Sequence, residues 1–350
     1  MSKTFEFLQQ QSSLPIATTW LLSALAEARG RQELFTKQSP QKLKVLKEHA
    51  IVESTISSNR IEGVLVEPSR VVPLISGQGT FRDRDEEEVQ GYRDALKWIH
   101  AGAGQLELDE TTIWKFHQLT RGQLWDAGAY KEKNIDIIEK YPDGRQRIRF
   151  KSVPAKGTPA AMKKLVATWK TSRREHWSPD ALLLAAFNLD FLCVHPFRDG
   201  NGRVSRLILL LSSYQAGLEV GRYISLERLI EETKDRYYET LESSSKGWHE
   251  GKHDPWPYLN YILTTLKHAY QEFEERVGQV KEPKGAKTEA VRYAARTFGR
   301  PFRLSEIEEK CPSVSREMIR KVLADLKKEG VLISSGKGVG ARWQNKGNTS

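Results

Sequence analysis

The chain has 350 residues, with 55 Lys and Arg against 45 Asp and Glu and a formal net charge of +10. Its length suits two or three domains. No apolar run reaches the roughly 20 residues of a membrane helix, and no N-terminal signal peptide is recognisable, which argues against a membrane or secreted protein. The two cysteines, Cys193 and Cys311, lie far apart and outside any metal-type cluster. We therefore expect unpaired thiols in a reducing cytoplasm.

The first hundred residues are predicted to be helical, because their apolar residues recur at helical spacing. Within them, residues 53–63 read ESTISSNRIEG. Ser58 and Glu62 are four residues apart and would share one face of a helix. Gly63 is a natural C-terminal stop for that helix.

Residues 134–150 read NIDIIEKYPDGRQRIRF. Apolar residues alternate with polar ones on both sides of the turn signal at Tyr141–Gly144, which predicts a β-hairpin in a helical region. Five basic residues would suit an acidic target, although charged hairpins are usually only solvated. They are Lys131, Lys133, Arg145, Arg147 and Arg149.

The most informative segment follows a strongly apolar helix predicted over residues 181–194. Pro196 should end that helix near His195. From Arg203 onward the pattern again predicts a buried helix. Residues 199–202 therefore form a tight loop at a helix N-terminus, where free N–H groups and the helix dipole favour an anion.

The residue types around this loop suit nucleotide chemistry. His195 can take a proton from a hydroxyl near neutral pH. Asp199 suits Mg²⁺, which prefers few carboxylates together with phosphate oxygens and water. Arg203 and Arg206 are three residues apart on one helix face and can aim their planar groups at phosphate.

The segment 195–206, HPFRDGNGRVSR, matches the Fic family signature His-x-Phe-x-Asp/Glu-Gly-Asn-Gly-Arg-x-x-Arg at every specified position. The chain thus resembles Fic proteins, whose core is all-helical and which mostly transfer AMP from ATP to a protein hydroxyl. The resemblance implies that His195 is the general base towards a target Ser, Thr or Tyr and that Asp199 holds Mg²⁺. It implies the following phosphate-binding residues: Gly200, Asn201, Gly202, Arg203 and Arg206.

The resemblance extends to other segments. Ser58, Glu62 and Gly63 fit the family's inhibitory pattern Ser/Thr-x-x-x-Glu-Gly/Asn, in which the glutamate pairs with the second motif arginine, here Arg206, and obstructs the γ-phosphate. The hairpin resembles the Fic flap, which adds a target segment as a strand. A tyrosine beside the adenine is expected to be Tyr238. The family also implies a homodimer, on which the residues themselves are silent.

Two other functions remain open. Some Fic proteins use the inhibitory glutamate to position a water that removes AMP from a modified target. The chain could alternatively be a DNA-binding transcriptional regulator whose Fic core senses a nucleotide without transferring it. The complete motif, including His195, favours the transferase.

The C-terminal part is strongly basic. Between Lys284 and Lys346 there are 15 Lys and Arg against 7 Asp and Glu. Helical patterns, a capping box at Ser305 and Glu308, a cap at Ser315 and two short strands around GKGVG predict a winged helix-turn-helix. Its basic surface would comprise Arg316, Arg320, Lys321, Lys327 and Lys328 on the third helix and Lys337 and Arg342 beside the wing. DNA contact and protein docking both remain open for this surface.

The predicted fold class is mainly α: an all-helical Fic core with a β-hairpin flap and a small C-terminal winged helix. The predicted divisions are an N-terminal Fic-associated helical region at 1–105 with the inhibitory helix at about 53–63, a catalytic core at 106–277, a linker at 278–285 and the winged helix at 286–346.

Overall fold

The computed structural model describes residues 2–38, 40–64, 66–67, 70, 82–140, 145–279, 286–296, 298, 300–311, 314–336 and 341–346. The chain forms two compact units. One comprises Met1–Arg31 and Leu46–Phe273, and the other Gln32–Val45 and Glu274–Ser350. The predicted linker stays a prediction, because 280–285 lie outside the described residues. In the described part of the chain, no helix combines the length and apolarity needed to cross a membrane.

The fold is mainly helical, as predicted. Up to residue 279 the helices are α1 (Lys3–Gln10), α2 (Ile16–Gln38), α3 (Pro40–Ile61), α4 (Arg84–Gly102), α5 (Glu110–Arg121), α6 (Thr158–Arg174), α7 (Asp180–Val194), α8 (Asn201–Gln215), α9 (Leu226–Glu232), α10 (Lys234–Ser245) and α11 (Trp256–Gln279). Two 3₁₀ turns lie at Ala155–Gly157 and Glu219–Arg222. Capping follows the sequence: the Asp83 and Asp109 side chains accept N–H groups in the first turns of α4 and α5.

The core of the first unit is built around α7 and α8, which pack against each other. Residues 182–194 of α7 are all buried, and so are residues 203–214 of α8. A helix that is apolar around its whole circumference must be covered on all sides. Helices α1, α5 and α6 provide part of this cover. The loop between α7 and α8 is therefore held in place at both ends by buried helices.

The predicted hairpin is confirmed as β1 (Asp136–Lys140) paired antiparallel with β2 (Gln146–Lys151). Its turn at Tyr141–Gly144 lies outside the described residues. Ile137 pairs with Phe150 and Ile138 with Ile148, so Arg149 is an extra residue that forms a bulge. The bulge puts Ile148 and Phe150 on opposite faces, whereas the sequence predicted simple alternation.

The second unit contains α12 (Ala286–Arg296), β3 (Phe302–Arg303), α13 (Leu304–Lys310), α14 (Arg316–Lys328), β4 (Leu332–Ser335) and β5 (Arg342–Asn345). The three strands form an antiparallel sheet in the order β3-β5-β4. The two strands expected from the sequence are present, and the short β3 was missed. The core of this unit includes the following buried residues: Val291, Ala294, Ala295, Phe298, Ile307, Ile319, Val322, Leu323 and Leu326.

The caps of this unit correct one prediction. Helix α13 begins earlier than expected, and the carboxylate that turns back to its N-terminus is that of Glu306, which accepts the N–H of Arg303 at 2.8 Å. The predicted box at Ser305 and Glu308 is therefore wrong by two residues. The Ser315 cap of α14 is confirmed. Residues 337–340 of the predicted wing, Lys337 among them, lie outside the described residues.

Candidate active site

His195 lies at the end of α7 in a left-handed turn. Its backbone has φ 50° and ψ 62°, and its N–H donates to the Phe191 carbonyl at 2.9 Å. A left-handed conformation costs a residue with a Cβ roughly 1–2 kcal/mol. Pro196 cannot continue the helix, so the chain turns away here. The turn presents the imidazole to a cavity instead of burying it in the helix pair.

Lys131 holds the outside of this turn. Its buried ammonium donates to the carbonyls of His195 at 2.8 Å and Val194 at 3.2 Å, and to the Ser152 hydroxyl at 2.7 Å. Its main-chain N–H donates to the Pro196 carbonyl at 2.9 Å. The sequence counted Lys131 among the exposed bases of the hairpin, and that interpretation is wrong.

Phe197 and His117 anchor the loop to α5. The two buried rings stack with centroids 3.8 Å apart. His117 Nδ1 accepts the Gly128 N–H at 2.9 Å, so Nε2 carries the proton and donates to the Asp199 carbonyl at 3.0 Å. Burial lowers the pKa of His117 to about 4, which keeps this ring neutral and able to make both bonds.

Asn201 closes the loop on itself. Its side chain accepts the Phe197 N–H at 2.9 Å and donates to the Phe197 carbonyl at 2.8 Å. Both polar atoms of the buried Asn201 side chain are thus engaged within the loop, and the phosphate role of Asn201 stays a prediction that suits its main-chain N–H. Gly200 has φ 79°, a left-handed conformation that glycine adopts without strain.

Asp199 is the exposed carboxylate of the loop, with 56% of its side chain accessible. Its oxygens accept from the Gly200 N–H at 2.7 Å and from Arg121 at 2.7 Å, and Arg84 lies 3.7 Å away. Burial raises the pKa of Asp199, but Arg121 and the Gly200 N–H outweigh burial and bring it below its ordinary value. The carboxylate is therefore ionised at neutral pH.

Asp199 could hold Mg²⁺ only if a bound ligand supplied further oxygen atoms to the ion. No group of three His, Cys, Asp or Glu side chains capable of holding a metal occurs among the described residues. Asp199 offers one exposed, ionised carboxylate, which matches the preference of Mg²⁺ for one or two carboxylates with phosphate oxygens and water. The donor set is compatible with Mg²⁺ carried by a nucleotide.

The two motif arginines point to different acids, although the sequence predicted a shared phosphate-facing surface. Arg203 is only 2% exposed and donates to Glu88 at 2.6 Å. Glu88, itself 4% exposed, also pairs with Arg121 at 3.3 Å and with Arg84. Arg203 is thus committed to a buried network and does not line the cavity beside His195.

Arg206 pairs with Glu62 as predicted. Its guanidinium, 3% exposed, donates to Glu62 at 2.8 Å, to the Ser58 hydroxyl at 2.8 Å and to the Ser58 carbonyl at 2.9 Å. The Glu62 carboxylate also lies against Gly202, where an added Cβ would collide with the Glu62 oxygen. Glu62 therefore fills the space between Arg206 and the start of α8.

The end of α3 fixes the position of Glu62. The helix ends at Ile61, Glu62 lies in the following turn, and Gly63 has φ 84° as expected for a C-terminal stop. Lys234 caps the helix by donating to the Ile61 carbonyl at 2.8 Å. Two turns earlier, the buried Ser54 hydroxyl donates to the Glu227 carboxylate at 2.6 Å.

His195, Glu62, Gly202 and Arg206 face one cavity of about 190 Å³. The remaining lining residues come from the hairpin, α7 and α10: Ile137, Arg149, Phe150, Leu192, Cys193, Tyr237, Tyr238, Leu241, Glu242 and Ser245. The cavity thus combines one base, both signs of charge and a largely apolar wall. Such a lining suits a nucleotide, with its apolar base and charged phosphates.

Burial, followed by the charge of Lys131, lowers the pKa of His195 to about 4. Within the described residues, the buried Nδ1 atom of His195 makes no hydrogen bond of ordinary geometry. The Leu192 main chain acts in the opposite direction to burial, because it favours the charged imidazolium and so raises the pKa of His195. The imidazole is therefore neutral at physiological pH. A neutral imidazole can accept a proton.

The hairpin is tied to α10 on the wall of this cavity. Arg147 and Arg149 pair with Glu242 at 3.0 and 3.1 Å. The Arg149 guanidinium also lies 5.1 Å from the centre of the Tyr238 ring. These arginines are engaged within the protein, which weakens the expectation that the hairpin selects acidic targets. Tyr238 lines the cavity, and its expected place beside an adenine stays a prediction.

Sequence reasoning missed several residues of the site, all contributed by segments distant from the motif. They are Arg84, Glu88, His117, Arg121, Lys131 and Lys234. Only a helical pattern, or for Lys131 its place beside the hairpin, identified the segments that carry them, and no local motif marks the side chains themselves.

Comparison with known proteins agrees with this geometry. Residues 107–212 match the Fic/DOC family model. Protein adenylyltransferase fic-1 from Caenorhabditis elegans is 25% identical over 232 residues, which are 66% of this chain and 40% of that protein. The chain thus spans two fifths of the curated relative that it matches.

Two solved structures share the fold. A Fic family protein from Desulfovibrio desulfuricans G20 has a TM-score of 0.62 at 19% identity, covering 97% of this chain and 98% of its own. A Fic domain containing signaling protein from Bacteroides thetaiotaomicron VPI-5482 has a TM-score of 0.60 at 19% identity, covering 74% and 98%. With the complete motif loop between two buried helices, these findings identify a Fic/DOC domain at residues 107–212 and show that the chain shares the fold of Fic family proteins.

Proposed function

We propose that this protein transfers AMP from ATP to a Ser, Thr or Tyr hydroxyl of a target protein and that Glu62 restrains the reaction. The observation that carries the proposal is the position of the Glu62 carboxylate, 2.8 Å from Arg206, against Gly202 and in the same cavity as His195. A phosphate would need the same guanidinium and the same glycine surface. Carboxylate and phosphate compete for an arginine because both accept its two parallel N–H groups.

The chemistry requires a base, a phosphate cradle and an aligned hydroxyl. The target oxygen bonds to the α-phosphorus of ATP, the bond from that phosphorus to pyrophosphate breaks, and His195 takes the hydroxyl proton. The main-chain N–H groups of Asn201 and Gly202 lie at the start of α8, where they favour an anion, whereas the Gly200 N–H already donates to Asp199. Arg206 adds charge once Glu62 has left.

Asp199 would hold Mg²⁺, which would neutralise phosphate charge when bound with ATP. Arg121 and His117 keep the carboxylate and its loop in place. Arg203 contributes indirectly, through Glu88 and Arg121. In this proposal Arg203 stabilises the loop and does not contact phosphate.

The hairpin would position the target. Ile138 and Ile148 form a cross-strand pair and are 48% and 52% exposed, while the other face of the hairpin lines the cavity with Ile137 and Phe150. A target segment added along a strand edge would gain main-chain hydrogen bonds and an apolar contact. Such pairing would hold a hydroxyl near His195 without requiring a particular target sequence.

Labelling with two forms of ATP tests the proposal. Purified protein is incubated with Mg²⁺ and ATP labelled at the α- or the γ-phosphate, and label on protein is measured. We expect α-label on protein and no γ-label. Glu62→Gly should raise labelling at least about tenfold, the effect of roughly 1.4 kcal/mol, and Glu62→Gln should raise it less. Glu175→Gln is the matched control, since Glu175 is an exposed acid that does not line the cavity.

Other outcomes identify the alternatives. Label from the γ-phosphate would indicate phosphate transfer. Release of AMP from a previously labelled protein, lost with His195→Ala, would indicate that the protein removes AMP from its target by hydrolysis. ATP binding without any labelling in Glu62→Gly would favour a nucleotide sensor. Failure to bind ATP at all would overturn the proposal.

A second function, DNA contact, is proposed for the second unit as a winged helix-turn-helix. The observation that favours it is the exposed basic surface of α14, with Arg320, Lys321 and Lys328 accessible to solvent. Arg316 is partly neutralised by Glu308 at 3.4 Å, and Lys327 donates to the Ser334 hydroxyl. This surface suits phosphate contacts, which position a protein on DNA without reading its sequence.

A gel shift at about 50 and 200 mM salt tests this second function, because each phosphate contact steepens the salt dependence. Arg320→Glu with Lys321→Glu should abolish the shift, while Lys163→Glu, an exposed control in α6, should not. Unchanged binding by the double variant, or no shift at low salt, would favour protein docking. The proposed homodimer and cytoplasmic location stay predictions, and Cys193 and Cys311 are buried thiols that suit a reducing compartment.

A further inference from the structure

Three consecutive main-chain carbonyls form the turn that carries His195, and all three accept hydrogen bonds from one residue. The Lys131 ammonium binds the carbonyls of Val194 at 3.2 Å and His195 at 2.8 Å, and the Lys131 N–H binds that of Pro196 at 2.9 Å. Carbonyls at a helix C-terminus lack partners within the helix, and a lysine side chain can satisfy them. Here the lysine comes from a segment 64 residues away.

These bonds matter because the backbone at His195 is unfavourable. A left-handed turn in a residue with a Cβ persists only where the surroundings impose it. Rotation of the Val194–His195 or the His195–Pro196 peptide would turn a carbonyl away from Lys131 and swing the imidazole. Holding the peptides on both sides of His195 therefore fixes the direction of its ring.

Lys131 also connects this turn to the hairpin. Its third bond goes to the Ser152 hydroxyl at 2.7 Å, and Ser152 in turn donates to the Ile135 carbonyl just before β1. Ser152 directly follows β2. The residue that holds the His195 turn thus also holds the base of both hairpin strands.

We propose that Lys131 is a positioning residue that fixes the His195 imidazole and places it in register with the hairpin, so that the base and the strand that presents the target share one anchor. This inference rests on the proposed function for its catalytic consequence. Its structural part, the control of the imidazole by Lys131, holds whether or not the protein transfers AMP.

The electrostatic effect of Lys131 provides a readout that a purely structural residue would not give. The lysine charge disfavours the imidazolium, and Glu62 and Asp199 favour it. Arg206 faces the cavity from α8 and pairs with Glu62. Burial raises the pKa of three other lining groups, which therefore stay neutral: Cys193, Tyr237 and Tyr238. Arg149 and Glu242 face the cavity from the hairpin and from α10. They pair with each other at 3.1 Å and largely cancel. Removing the lysine charge should therefore raise the pKa of His195.

The test compares Lys131→Met, Lys131→Arg and Lys133→Met, all in the Glu62→Gly background. Lys133 is an exposed lysine two residues away and controls for the loss of one charge. We expect Lys131→Met to lower kcat for AMP transfer about tenfold to a hundredfold, the cost of a slightly misplaced reacting group, with little change in KM for ATP. Lys131→Arg should recover much of the loss, and Lys133→Met should behave as the parent.

The imidazole is followed independently by NMR titration of the His195 C2 proton, without Mg²⁺ and without nucleotide, using His195→Ala to assign the signal. The midpoint should rise in Lys131→Met and stay in place in Lys133→Met. If the His195 midpoint rises in Lys131→Met but none of the variants transfers AMP, the inference is kept and the proposed function is rejected. An unchanged midpoint with unchanged kcat would overturn the inference.

Ser152→Ala guards against misfolding of Lys131→Met. It removes one acceptor of Lys131 and the bond to Ile135, while all three bonds from Lys131 to the His195 turn remain. We expect a severalfold loss of kcat towards a target protein that pairs with the hairpin. Equal kcat in Ser152→Ala and its parent would contradict the shared anchor.

Discussion

The two arginines of the motif, Arg203 and Arg206, pair with acids in different surroundings. Arg203 binds Glu88, and the acid is only 4% exposed within a network that includes Arg121 and Arg84. Arg206 binds Glu62, whose side chain is 29% exposed and whose other neighbour is Gly202. Both guanidiniums are buried, so the difference lies in the acids. One acid is enclosed and shared among three cations, and the other can leave.

The location of each acid in the chain explains this contrast. Glu88 lies within the second turn of α4, where its backbone is fixed by the helix. Glu62 lies beyond the last residue of α3, next to Gly63. A carboxylate on a turn can move without unfolding a helix. The Glu88 pair is therefore suited to holding the loop, and the Glu62 pair to regulating it.

The largest expected effect separates the two pairs by stability. Glu88→Gln should lower the free energy of unfolding by about 3–5 kcal/mol, because it leaves buried guanidiniums uncompensated. Glu62→Gln should cost only about 1–2 kcal/mol, since Glu62 is partly exposed and Arg206 keeps both bonds to Ser58. Urea unfolding at pH 7 measures both values.

The same two variants should separate in activity. Glu62→Gln should transfer more AMP than the parent, and Glu88→Gln should transfer less. Equal losses of stability in the two variants, or activation by Glu88→Gln, would remove the distinction between a holding pair and a regulating pair.

Much of this arrangement could be predicted from the sequence, and the exceptions share one physical cause. The helix stop at Pro196, the loop at 199–202 and the stop at Gly63 follow from local rules, and all are observed. The fate of Arg203 could not be predicted, because Glu88 lies 115 residues earlier in an ordinary amphipathic helix. The anchor Lys131 appeared in sequence only as one base of a charged hairpin.

Similarly, the hairpin was predicted from alternation, but its bulge at Arg149 was not. Alternation fixes which face a residue takes only if each residue on one strand opposes one on the other. The bulge turns Arg149 towards Glu242 and Tyr238. Local patterns thus predict elements and turns, whereas side-chain pairing between distant elements requires the fold.

A change of pH should have an intermediate effect on AMP transfer, because it titrates His195, which faces the same cavity as Arg206. Burial and Lys131 lower the pKa of His195 to about 4, so kcat/KM for transfer should fall as pH drops through about 4 and the imidazole is protonated. Burial lowers the pKa of Lys131 to about 8. Above pH 8 the neutral amine has two N–H donors for three acceptors, so transfer should fall again.

The profile is measured in Glu62→Gly, with circular dichroism at each pH to confirm folding. Lys131→Arg should lose the alkaline limb, because arginine stays charged. An alkaline limb that persists unchanged in Lys131→Arg would assign it to another group.

The smallest effect tests the support of the regulating pair. Ser58→Ala removes the hydroxyl that accepts Arg206 Nε, but the Ser58 carbonyl and Glu62 still hold the guanidinium. We expect a loss of about 1 kcal/mol in unfolding free energy and a rise in AMP transfer well below that of Glu62→Gly. Activation equal to that of Glu62→Gly would show that Ser58, and not Glu62, provides the restraint.

The central claim is that the Glu62 carboxylate occupies the place of an ATP phosphate at Arg206. A crystal structure of Glu62→Gly with a non-hydrolysable ATP analogue and Mg²⁺ tests this most directly. The account predicts the γ-phosphate on Arg206 beside Gly202, with the α-phosphate facing the His195 imidazole. Phosphates bound elsewhere, with Arg206 still held only by Ser58, would contradict it.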